Sequence, residues 1–98
     1  MTVLSTNLQD EDAVPYFLWD APMTVRELRE RLRTASEPER IRLIGTLLRE
    51  ARDTDVWEWV SLQEVVRVWP QLQRHLGRRR AFWEFLLSRW RQQGFLRD

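Results

Sequence analysis

Between residues 24 and 35, Val25, Leu28, Leu32 and Ala35 recur at three- and four-residue spacing, which predicts a helix with one narrow buried stripe. Arginines and glutamates alternate on its other side, so this helix belongs at the periphery. From about 37 to 53, Ile41, Leu43, Ile44, Leu47, Leu48 and Ala51 cover a broad face, as a central helix requires. Gly45 at the edge of that face costs about 1 kcal/mol of helix propensity relative to alanine; close approach of a neighbouring helix or neutral accident would each explain it. A third helix is expected from Leu62 to Trp69, ended by Pro70, which lacks a donor and biases the residue before it away from helical angles. One or two turns carrying Leu72 and Leu76 follow and stop at Gly77. The last helix, from about Arg79 to Gln93, sets Phe82, Trp83, Leu86, Leu87 and Trp90 on one face, and Phe85 widens it beyond what a single neighbour can cover. Gly94 can end it, with Phe95 folding back on Trp90.

Three helix starts share one device. Thr24 precedes Glu27, Ser36 precedes Glu39 and Ser61 precedes Glu64, each a hydroxyl residue three before a glutamate. In such a capping box the hydroxyl accepts from a first-turn N–H and the carboxylate reaches back to the cap's own N–H. Met23 with Leu28, and Val60 with Val65, add hydrophobic staples. A structural task thus accounts for these hydroxyls and removes them from any list of nucleophiles.

Two stretches escape the helical pattern. "DTDVWEWVS" fits a short extended piece or a helical turn equally well. "VPYFLWDAP", residues 14 to 22, lies between two prolines yet carries Tyr16, Phe17, Leu18 and Trp19. It either straps across the helical core or docks into a partner's groove, where aromatic anchors supply most of the energy. The predicted fold is therefore all-α, a compact domain of four or five helices over residues 23–98, with an acidic, aromatic, extended N-terminal arm over residues 1–22.

At 98 residues the chain supports one core. It has no cysteine, so disulfides, thiol catalysis and thiolate metal sites are excluded. The start of the chain lacks the basic and apolar regions of a signal peptide, and no apolar run approaches a membrane span, so a cytoplasmic protein without membrane contact is expected. The net charge of +1 hides an asymmetry: Asp10, Glu11, Asp12 and Asp20 stand at one end without a cation, while arginines gather at the other. All sixteen cations are arginine, which reflects either genome composition or a demand for planar contacts to carboxylate and phosphate. His75 is the lone histidine, the glycines form no phosphate-cradling loop, and no metal-ligand spacing is present. A non-enzymatic protein with no catalytic residue, cofactor or metal is expected.

Arg78, Arg79 and Arg80 open the last helix, where cations oppose the macrodipole. Arg80 can lean on Glu84 one turn later, but Arg78 and Arg79 have no evident local partner. Their counter-charge is an acidic protein surface, a nucleic-acid phosphate, or the chain's own Asp10 to Asp12.

"PYFLWD", "REARDTDVW", "VWP" and above all "LGRRRAFWEFLL" resemble a group of short bacterial proteins encoded beside abortive-infection-type nucleotidyltransferase toxins, in the position of an antitoxin. The likeness spans about residues 15 to 96. It implies that the chain is the toxin's cognate partner, and it assigns interaction roles to Arg78, Arg79, Arg80, Phe82 and Trp83, with Tyr16, Phe17 and Trp19 from the arm. The alternative is a helix-turn-helix-like regulator that binds DNA at its own operon: "SLQEVVRVWP", a break and "RRRAFWEFLLSRW" follow that outline. Against it stand a connection longer than the usual three or four residues and a domain close to neutral.

Overall fold

The computed structural model describes residues 3–94, which leaves Phe95 and its expected contact with Trp90 outside the described part. Five α-helices follow the arm: α1 (Val25–Thr34), α2 (Glu37–Glu50), α3 (Asp53–Val56), α4 (Leu62–Leu72) and α5 (Arg80–Gln92). The only strands among the described residues are β1 (Leu4–Ser5) and β2 (Val14–Pro15), a two-residue parallel pair within the arm. The all-α expectation holds.

The start of α1 shows how local chemistry and the arm combine. Thr24 and Glu27 form the full capping box, which satisfies the cap N–H and the Glu27 N–H. The two remaining orphan donors, at Val25 and Arg26, go to the arm carbonyls of Ala13 (2.9 Å) and Glu11 (3.0 Å). The acidic end of the arm is spent here too: Asp12 pairs with Arg26 at 2.5 Å and Glu11 with Arg29 at 3.2 Å. Asp12 and Glu11 are therefore not the counter-charge of the arginine triplet.

The other two boxes form by half. Ser36 and Ser61 accept from the N–H of Glu39 and Glu64, but both glutamates turn outward to bind other helices. Glu39 takes Arg31 of α1 at 2.8 Å, and Glu64 takes Arg40 of α2 at 2.6 Å and its own helix's Arg67 at 3.2 Å. Arg40 also donates to the Leu32 carbonyl at the end of α1, so one side chain ties three helices. That contact holds the Glu64 carboxyl below its ordinary pKa, the hydrogen bond from Arg40 being the largest cause.

α2 is the central helix, with Ile44, Leu47 and Leu48 at most 1% exposed. α4 lies along it through Val65, Val68 and Leu72, all buried. Gly45 has the packing explanation: a β-carbon there would lie 2.8 Å from the β-carbon of His75, closer than side-chain atoms sit. His75 belongs to the first of two 3-10 turns, Gln73–His75 and Gly77–Arg79, that join α4 to α5. Gly77 opens the second with a left-handed φ of 53°, the conformation that favours glycine.

Two boundaries differ from the sequence reading. α4 passes through Pro70 and ends at Leu72 rather than Trp69; the bias of Trp69 against helical angles is a preference, and burial of Leu72 outweighs it. α2 stops at Glu50 rather than near 53. A continuing helix would send the Arg52 N–H to the Leu48 carbonyl. Instead that N–H goes to the Tyr16 hydroxyl oxygen at 2.8 Å, and the carbonyl accepts the Trp83 indole N–H at 2.8 Å. "DTDVWEWVS" resolves as the single turn of α3 and a following turn.

Candidate partner-binding surface

The eight candidate residues fall into two groups, and the end of α2 separates them. Five converge on it. Trp83 is fully buried beneath it, donating to Leu48. Tyr16 is half-buried beside it, its hydroxyl accepting from Arg52 N–H and donating to Asp55 Oδ2 at 2.5 Å. Burial, then the Asp55 hydrogen bond, push the Tyr16 pKa above its ordinary value. Phe17 is 1% exposed and packs edge-on against Tyr16 and Trp59. Trp19 lies on the surface, 58% exposed, with its indole N–H on Glu50 at 3.2 Å. Arg79 reaches the Ala51 carbonyl at 3.4 Å.

These positions correct part of the assignment. Phe17 and Trp83 are core side chains with no surface to offer a partner. The arm straps the core through Leu8, Phe17 and Leu18. Arg79, which has no local partner in the sequence, has a remote one in the carbonyl of Ala51, the C-terminal cap of α2, the kind of group a cation at a helix C-terminus satisfies. Arg80 is engaged as expected, on Glu84 at 2.7 Å, and also on Gln73 at 3.0 Å. Arg78 is exposed, and its guanidinium makes no hydrogen bond, ion pair or ring contact among the described residues.

What remains on the surface is a stripe that runs outward along α5. Phe82 is 38% exposed and Phe85 57%. Each ring carries a guanidinium: Arg79 lies 4.8 Å from the Phe82 centroid and Arg89 5.9 Å from that of Phe85. Trp57, 38% exposed, borders the stripe and packs edge-on against Trp83 and Trp90 at 5.9 and 6.0 Å. Phe85, Trp57 and Arg89 are additions that the sequence reading did not place among the interaction residues. The signal was present, since Phe82, Phe85 and Arg89 recur at helical spacing as a second stripe beside the Trp83–Leu87 seam that faces the core.

Chemically, such a face suits apolar contact rimmed by planar cations. Aromatic and arginine side chains are the types enriched at interface hot spots. The connection between α4 and α5 runs from Gln73 to Arg79 as two 3-10 turns, longer than the three or four residues of a DNA-binding helix-turn-helix. Among the described residues, no helix is long and apolar enough to cross a membrane, and no group of three or more histidine, aspartate or glutamate side chains is placed to hold a metal ion. No protein-family model, curated protein or solved structure matches the chain.

Proposed function

We propose that this chain is a non-catalytic binding protein that acts by protein–protein contact through the arginine-and-aromatic stripe of α5. Following the sequence resemblance, its partner is a nucleotidyltransferase-type toxin that it restrains as an antitoxin. The observation that supports the reading best is the pair of half-exposed rings, Phe82 and Phe85, each under an arginine and beside the unpartnered Arg78. The exposed part of each ring gains nothing for the monomer. An acidic, partly apolar partner would bury both rings and neutralise the cations above them. Trp19 extends the same role to the arm, on its exposed face.

The test is co-expression of this chain with the product of the adjacent gene, reading complex formation and growth together. The wild type should co-purify and rescue growth, and Arg78→Glu with Phe85→Ser should lose both while its melting temperature falls by no more than about 8 °C. A double variant that still binds and rescues would refute the assignment of the surface. Rescue without a complex, together with retardation of promoter DNA that weakens with salt, would favour the DNA-binding regulator instead.

A further inference from the structure

A second site lies away from α5, in a cleft of about 350 Å³ between the first half of α2 and the end of α4. Pro38 and Ile41 give it an apolar wall, and Arg42, Gln71, Arg74 and His75 give it polar groups. Its volume is at the lower end of the range of small-ligand sites.

The arginines single this cleft out. Among the described residues only Arg42, Arg74 and Arg78 have a guanidinium with no hydrogen bond, ion pair or ring contact, and the first two line one cleft. The single carboxylate in the lining, Glu37, is taken by Arg67 at 3.2 Å. The cleft thus holds two uncompensated positive charges beside a hydrogen-bonding amide and imidazole. Its inner wall is tied to α2 by two contacts. The His75 β-carbon packs closely over Gly45, and its carbonyl accepts from Arg49 at 2.9 Å, so the imidazole is held at both its side-chain root and its backbone.

We propose that this cleft binds a small phosphate monoester with an apolar body. Two guanidiniums match the two negative charges that one phosphate monoester carries near neutral pH, whereas a carboxylate would leave one arginine unneutralised. Pro38 and Ile41 receive the apolar body. This site is independent of the α5 stripe and of the partner proposed for it.

Because His75 is the only histidine, its imidazole gives one resolved NMR signal that reports on the cleft directly. The full chain is titrated with phenyl phosphate, and with benzoate as a singly charged anion on the same ring. Phenyl phosphate should shift the His75 signal saturably at millimolar concentration, and benzoate should bind at least about tenfold more weakly. Arg42→Gln with Arg74→Gln should weaken phenyl phosphate at least about tenfold while the melting temperature stays unchanged, since neither arginine holds another group. Arg33→Gln, at an exposed position of α1, should leave the titration as it is. No saturable shift, equal response to benzoate, or undiminished binding by the double variant would each overturn the proposal.

Discussion

Replacing Trp83 by phenylalanine isolates one interaction on which the centre of the molecule depends. The indole is fully buried, and among the described residues its N–H is the donor to the Leu48 carbonyl, one of the last four of α2. Phenylalanine keeps most of the apolar ring but leaves that carbonyl buried and unpaired, at a cost of about 1–3 kcal/mol. The smaller ring adds a packing loss, so about 2–4 kcal/mol in all is expected. Alanine removes the ring altogether and should cost about 3–5 kcal/mol. Against a total stability of about 5–15 kcal/mol for a domain of this size, the alanine variant stands near the edge of folding. Urea unfolding followed by far-UV circular dichroism measures both, with an unchanged m-value as the check that only stability has moved. Phe85→Ala is the control: its ring is 57% exposed, and its loss should cost no more than about 1 kcal/mol. A phenylalanine variant as stable as the wild type would show that the indole–carbonyl bond contributes nothing net, and the account of why α2 ends at Glu50 would fail with it.

Gly45→Ala gains helix propensity yet should destabilise by about 1–3 kcal/mol, because the new methyl would sit 2.8 Å from the His75 β-carbon; a rise in melting temperature would show the turn to be free to move. The Glu64 carboxyl is held below its ordinary pKa by Arg40, so its contribution is present above the unfolded value and is lost as pH falls through the folded one. Wild-type stability should therefore fall more steeply than that of Glu64→Gln between about pH 5 and 3, and parallel acid-unfolding curves would contradict this. Tyr16 has the opposite sign: its raised folded pKa means a contribution present below the unfolded value of about 10 and lost as pH rises through the folded one. Tyr16→Phe should be the less stable protein at neutral pH, with the gap closing under alkaline conditions. A gap that stays constant into the alkaline range would place the hydroxyl outside the stabilising network.

The starts of the helices were legible from the chain because an N-cap is a local device. Thr24, Ser36 and Ser61 satisfy N–H groups three residues away, and no distant residue has to be known for that. The central role of α2 was legible for a similar reason, since a broad apolar face at helical spacing has to be covered whatever covers it. Helix ends and the fate of individual charges were decided elsewhere. The end of α2 was set by Tyr16 and Trp83, which take the N–H and the carbonyl that would have continued the helix. Glu39 and Glu64 left their capping boxes because Arg31 and Arg40 came within reach from other helices. The same limit governed the candidate site. Periodicity measures how wide the apolar face of α5 is, but which half of it meets the core depends on where α2 and α3 lie. Trp83 was therefore buried and Phe85 exposed by tertiary packing, and Arg79 found in Ala51 a partner twenty-eight positions back along the chain, a distance that no local pattern spans.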